Sequence, residues 1–180
     1  MLLTTSRRPG HRTRILCREL SWVIPNSRYI PRGTKTIEEL NQVALASGHD
    51  RIALVSSGAV GPMELRFLEA GQDWRWLNPV VKLGAVKLQR EVGPSYGLKD
   101  LKVYGQGHEA YKFAITLGKL LGSEISQTPP SSGGVALITA EDGITLQFLV
   151  KDNSEAIGPI LRVVGLGRVS EERAGENGKV

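Results

Sequence analysis

Thr5-Ser-Arg-Arg-Pro-Gly-His-Arg-Thr-Arg-Ile-Leu-Cys-Arg18, continued by Pro25-Asn-Ser-Arg-Tyr-Ile-Pro-Arg-Gly-Thr-Lys-Thr36, holds the densest basic run of a 180-residue chain. Residues 1–35 carry Arg7, Arg8, Arg12, Arg14, Arg18, Arg28, Arg32 and Lys35 against one acid, Glu19, which amounts to +7; since the whole chain carries +5, the residues after Lys35 carry −2. Crowding like charges on one part of a folded surface costs free energy unless something negative meets them. The asymmetry therefore speaks of a partner, and phosphate is the simplest one.

The spacing within this run predicts a helix over 9–23, with Pro9 suited to its first turn and Ser6 placed to help cap it. At about 100° per residue, Leu16, Leu20 and Val23 share one sector, while His11, Arg14 and Arg18 share another roughly opposite. One side packs and the other meets solvent. Arg7 and Arg8 precede the helix, where free N–H groups and the positive dipole end add to their attraction for an anion. Arg12 is the exception, near the apolar sector, and is expected to reach around the helix N-terminus. A charge run is ordinarily a solvated helix face, but here only Glu19 is available to pair with it.

Outward from this stretch, Leu2 to Thr5 makes a short strand and 27–31 another. Thr36-Ile-Glu-Glu39 has the form of a capping box, with Ile37, Leu40, Val43 and Ala44 on one face and Gly48 as the stop. Ile52-Ala-Leu-Val55 is an apolar run of the kind buried on both faces of a sheet. Strand, helix, strand, helix, strand is an α/β layer. Met63, Leu65 and Phe67 alternate as the next strand. Asp73-Trp-Arg-Trp-Leu-Asn78 reads as a loop or turn whose Trp74 and Trp76 either anchor it on the core or stack on an unpaired base. Residues 80–92 alternate as a strand whose phase slips around Gly84, which marks a bend, a bulge or two strand pieces, and 94–107 reads as a glycine-punctuated link. A helix over 108–121 with Gly122 as its stop, a loop over 127–134, a hairpin of 135–139 with 144–150, and a strand over 160–166 complete the order.

Composition bounds the rest. With 41% hydrophobic residues the chain can bury a proper core, and the charged fraction of 23% argues against wholesale disorder. No apolar run approaches the ~20 residues that span a bilayer, and the first residues lack a signal peptide's apolar region, so a soluble intracellular protein is expected. Cys17 is the single cysteine, read as a packing residue, and the three histidines are too scattered to suggest a metal. Ser56-Ser-Gly-Ala-Val-Gly-Pro62 follows a buried strand, yet has neither Gly-x-x-x-x-Gly-Lys-Ser/Thr nor Gly-x-Gly-x-x-Gly. Gly33-Thr-Lys-Thr36 lacks the upstream glycine of a P-loop. No nucleophile, base or metal set is recognisable, and Glu141-Asp142 is more simply a hairpin tip, so no enzyme activity and no cofactor are expected.

Thr-Ser-Arg-Arg-Pro at 5–9, Arg-Thr-Arg at 12–14 and Arg-Gly-Thr-Lys at 32–35, ahead of an acidic-capped helix, resemble the opening of Brix-domain proteins, ribosome-biogenesis factors. The likeness is to the branch that includes a protein of the small-nucleolar-ribonucleoprotein machinery and short archaeal relatives, and it is dense over about the first 60 residues. The resemblance implies two similar α/β halves, about 1–93 and 94–169, with mixed sheets and packed helices, each of the type seen in the anticodon-binding domain of class II aminoacyl-tRNA synthetases. A flexible tail is expected over 170–180. It also implies ribosomal RNA or its precursor as the partner, with ribosome-assembly proteins as further candidates and no membrane. The RNA-binding set is then Ser6, Arg7, Arg8, His11, Arg12, Arg14, Arg18, Arg28, Arg32 and Lys35, with Tyr29 within reach of an unpaired base. The expected compartment is the cytoplasm, or the nucleolus in a eukaryote. A transfer-RNA-binding accessory module and a protein-interaction scaffold using a strand edge of the second half remain as alternatives.

Overall fold

Four residues that are buried on both faces, Leu2–Thr5, form the first strand, β1. The computed structural model describes residues 1–57, 63–91, 97–151 and 155–169. From β1 the chain passes through α1 (His11–Val23), β2 (Arg28–Tyr29), α2 (Ile37–Ala46), β3 (Arg51–Ser57), β4 (Met63–Glu69) and β5 (Arg75–Lys87), followed by a 3₁₀ turn at Gln89–Glu91. Then come β6 (Lys102–Gly105), α3 (His108–Leu121), β7 (Glu124–Ser126), β8 (Gly134–Thr139), β9 (Ile144–Val150), β10 (Glu155–Ala156) and β11 (Ile160–Gly167).

All strands join one mixed sheet in the order β2-β1-β3-β4-β5-β11-β9-β8-β6-β7, with β10 paired to β9 outside that path. The same pattern of pairing is met from either edge. β1 lies parallel between β2 and β3, and β6 parallel between β7 and β8; antiparallel strands follow on each side until β5 meets β11. That pairing makes the sheet continuous.

Alternation along each strand then assigns the cores. Leu3, Ala53, Val55, Leu65 and Phe67 join Leu16 and Leu20 of α1 and Phe113 and Leu117 of α3 in one large cluster. Leu2, Ile52 and Leu68, the alternate positions, meet Leu40 and Ala44 of α2 in a smaller one. So α1 and α3 share one face of the sheet, and α2 covers the other face near one edge.

Local expectations hold where the signal is local. Thr36 accepts the Glu39 N–H at 3.1 Å while Glu39 accepts the Thr36 N–H at 2.7 Å, so the capping box forms as spelled. Gly48, at φ +71, ends α2 with the N–H groups of Gly48 and His49 returned to the carbonyls of Leu45 and Ala44. α3 starts and stops where its period predicts, with Gly122 in the left-handed conformation. The phase slip at Gly84 is a bulge: Val163 pairs with Leu83 and Arg162 with Ala85, leaving Val164 against Gly84, where a Cβ would lie 2.2 Å from its Cγ1.

Other expectations yield. α1 begins at His11 rather than Pro9, and its N-cap is Gly10, with no capping side chain, so Ser6 does not cap it. The reason is tertiary: Ser6 N–H still donates to Val55 O at 3.0 Å, so the chain needs 7–10 to leave the sheet. The loop expected over 73–78 is strand from Arg75 onward, because Arg75, Trp76 and Leu77 pair with Glu69, Leu68 and Phe67. The link expected over 94–107 contains β6, whose pairing partners β7 and β8 lie beyond α3; its first residues, the tip of the 56–62 loop and the tail over 170–180 fall outside the described residues. No helix among the described residues is long and apolar enough to cross a membrane.

Candidate nucleic-acid interface

Parallel strands deliver their carboxyl ends to the same end of a sheet, and there β1 and β2 bring together the two basic segments. Ile30 N–H donates to Leu3 O at 2.9 Å and the buried Thr4 Oγ1 donates to Ile30 O at 3.1 Å, which fixes the exit of β2 beside that of β1. The loop 6–10 thus emerges next to 31–36. Arg32 Nε donates to Lys35 O at 3.1 Å and Lys35 N–H to Arg32 O at 3.2 Å, closing a basic turn. The Arg32 guanidinium is held below its ordinary pKa, first by burial and then by the nearby charge of Arg7. Two like charges in a half-buried junction make the local potential positive.

α1 starts from this junction with no side-chain cap and no acid in its first turn. Its dipole end therefore adds to the positive field. Arg14 Nη2 donates to Pro9 O at 3.0 Å, bracing the loop ahead of the helix. Thr13, Leu16, Cys17, Leu20 and Val23 are buried, while His11, Arg14 and Arg18 are exposed. The Cys17 thiol donates to Thr4 O at 3.2 Å, and burial pushes its pKa far up, so it is a packing group. Glu19 is only 3% exposed and accepts the Gln89 N–H at 2.6 Å. The one acid of the basic run is spent inside the protein. Tyr29 stands beside this face: burial raises its phenol pKa, and the charges of Arg14 and Arg18 pull against that rise.

Ser6, Arg7, Arg8, His11, Arg14, Arg18, Arg32 and Lys35 thus lie on the two segments that meet at the strand ends and on the exposed face of α1. Arg28 and Arg12 are placed differently. Arg28 sits at the other end of β1, its N–H donating to Met1 O at 3.0 Å and its charge acting on His49. Arg12, instead of turning back over the helix N-terminus, grips Glu91 with bonds of 2.9 and 3.1 Å and donates to Val86 O at 2.6 Å. Glu91 also receives the Leu88 N–H at 2.8 Å, so Arg12 fastens α1 to the end of β5.

The second half supplies a control. There β6 leads through Gly105-Gln106-Gly107 into α3 as β1 leads into α1. Gly105 packs so closely that a Cβ would lie 2.4 Å from the Ala110 backbone. Residues 102–121 contain no arginine, and Lys112 is paired with Glu109 at 2.9 Å. The architecture does not itself require positive charge at this position.

Trp74 and Trp76 are partly buried against the small core under α2. Trp22 is 41% exposed, on the same stripe of α1 as Arg14 and Arg18. The helical period alone places it there in the sequence, a fainter signal than the Trp-Arg-Trp string at 74–76. Among the described residues no group of three or more His, Cys, Asp or Glu is gathered that could hold a metal ion.

No family model matches the chain. It is 43% identical over 123 residues to a probable Brix domain-containing ribosomal biogenesis protein of Pyrococcus horikoshii, a match covering 68% of this chain and 51% of that protein. A protein of the same description from Methanopyrus kandleri is 39% identical over 165 residues, covering 88% of this chain and 83% of that protein. The chain spans about half the length of the first of the curated relatives it matches. Among solved structures, a probable ribosomal biogenesis protein from Aeropyrum pernix superposes with a TM-score of 0.76 at 29% identity, over 94% of this chain and 96% of that one. An archaeal Imp4-like protein superposes with a TM-score of 0.66 at 22% identity, over 94% of this chain and 100% of the other, a likeness of fold.

Proposed function

This chain belongs to the Brix-domain family, and we propose that it is a non-catalytic ribosome-biogenesis factor that binds ribosomal RNA or its precursor and assists its processing, folding or assembly. The observation that carries the reading is the arginine-lined junction at the carboxyl ends of β1 and β2, set against the arginine-free equivalent in the second half. Arginine forks grip phosphates in two parallel bonds, and the capless N-terminus of α1 adds backbone donors. Such contacts fix where an RNA segment lies and leave its sequence largely unread. The work is positioning rather than bond-making.

In this reading residues 1–169 act as one Brix-like domain whose halves, about 1–93 and 94–169, are of the anticodon-binding type. The site comprises Ser6, Arg7, Arg8, His11, Arg14, Arg18, Arg32 and Lys35, with Arg12 as a brace and Arg28 as an outlying charge. The protein acts in the cytoplasm, and ribosome-assembly proteins meet surfaces away from the basic end. The test is to crosslink RNA to the full chain in its own cells and sequence it. Recovery of ribosomal RNA precursor is expected. Recovery of transfer RNA instead would replace this reading with that of a transfer-RNA-binding module, and recovery of no RNA would overturn both.

A further inference from the structure

α1 carries an aromatic ring in line with its arginines. Trp22 follows Arg18 by four residues and Arg14 by eight, so the three side chains fall within about 80° of one another around the helix, with about 6 Å of rise between neighbours. Between them the stripe is free of acids, since Glu19 is buried and bonded to Gln89. The ring is mounted on a fixed support: the Trp22 carbonyl accepts the Leu98 N–H at 3.0 Å, and the next two residues, Val23 and Ile24, are buried.

An indole left 41% in water is a large apolar surface awaiting a partner. Its immediate company selects that partner. A protein groove would meet the ring together with two guanidinium groups that need anions, whereas a nucleic-acid strand offers a phosphate and a flat π-face in each repeat. Bases inside a continuous duplex have both faces covered by their neighbours, so only an unpaired base can present a face to the ring.

We infer that Trp22 is a stacking platform for an unpaired base, and that the arginine face of α1 takes a single-stranded or bulged stretch of RNA rather than continuous duplex. This rests on the RNA-binding reading above and specifies its substrate class. Arg14 and Arg18 hold the backbone, and the base beyond the second phosphate contact turns onto the ring. Tyr29, beside Arg14 and Arg18 on the adjoining strand, borders the same track.

The experiment measures fluorescence anisotropy of two labelled probes, a single-stranded oligoadenylate of about a dozen nucleotides and its duplex with oligouridylate. Wild type, Trp22→Ala, Trp22→Phe and the double variant Arg14→Ala/Arg18→Ala are compared after thermal unfolding confirms that each is folded. Trp22→Ala is expected to lose roughly 5- to 150-fold in affinity for the single strand, as base–aromatic stacking elsewhere implies. Its affinity for the duplex should be little changed, Trp22→Phe should retain most of the single-strand affinity, and the double arginine variant should lose on both probes. The part of the tryptophan emission absent from Trp22→Phe should be quenched by the single strand in the wild type, a readout that needs no alanine variant.

Wild-type affinity of Trp22→Ala for the single strand, an equal loss on both probes, or no quenching would overturn the stacking role while leaving RNA binding in place. Failure of the wild type to bind either probe would overturn the RNA-binding reading, and this inference with it.

Discussion

Replacing Arg7, Arg8 and Arg14 together by alanine tests how much of the binding free energy is phosphate neutralisation. The structure supplies the count. Arg7, Arg8, Arg14, Arg18, Arg32 and Lys35 are the six cations at the strand-end junction and along α1, once Arg12, clasped to Glu91, and the distant Arg28 are set aside. For a single strand each neutralised phosphate contributes about −0.7 to the slope of log affinity against log salt, so the wild type should show a slope of about −4 and the triple variant about −2. Between 50 and 200 mM salt, affinity should fall roughly 300-fold for the wild type and roughly 20-fold for the variant. Anisotropy titrations with a single-stranded oligoribonucleotide at four salt concentrations in that range give both slopes. Because Arg14 also braces Pro9 O, unfolding temperatures are compared first. An unchanged slope in a folded triple variant would place the phosphate contacts elsewhere and refute the reasoning.

Arg12→Ala should behave in the opposite way, lowering the unfolding temperature by freeing α1 from Glu91 and Val86 while leaving the salt slope nearly unchanged; differential scanning calorimetry and the same titrations check both halves of the statement. Converting Arg7, Arg8, Arg14 and Arg18 to lysine keeps the charge and removes the planar forks, so filter binding should show a greater loss for the native RNA than for a generic duplex; equal retention of both would reduce the stretch to an electrostatic cushion. Asn41, 3% exposed, exchanges both amide bonds with Gly71, at 2.9 Å to its carbonyl and 3.1 Å from its N–H. Asn41→Ala should therefore cost about 1–3 kcal/mol and lower the unfolding temperature by roughly 3–10 °C without altering RNA affinity.

What the sequence disclosed follows the range of the forces involved. The capping box at Thr36, the Gly48 and Gly122 stops and the faces of α1 and α3 are decided within a few residues, and each is legible. The start of α1 is not, because it depends on Ser6 remaining bonded to Val55, 49 positions away. β6 and β7, of four and three residues, have little pattern of their own and exist through parallel neighbours that the order of letters does not reveal. In the candidate site, Arg12 found its partner 79 positions away, and Arg28 was set apart from Tyr29 by the alternation of a strand only two residues long. Trp74 and Trp76 look like a stacking pair in one dimension. Their burial depends on α2 covering that face of the sheet.

Positioning an RNA segment requires that the gripping residues hold a fixed place relative to the rest of the protein, and two ties across the halves, with one inside the first half, supply it. The β5–β11 ladder continues the sheet through the middle of the molecule. Arg12 on α1 fastens the first helix to the end of β5, ahead of the link into the second half. Arg51, at the start of β3, donates to the carbonyls of Lys119 and, at 2.9 Å, Leu120, so a cation from the first half caps the C-terminal end of α3 in the second. A charge cluster on a loose arm would bind phosphate equally well and orient nothing. Here Arg14 and Arg18 stand on a helix packed into the same core cluster as α3, so an RNA held there, as proposed, would be set at a definite angle to the opposite edge of the sheet, β7. Ten strands spaced about 4.8 Å apart place that edge roughly 43 Å from β2. On the proposed reading the second half contributes reach rather than grip, in keeping with the lack of arginine over 102–121.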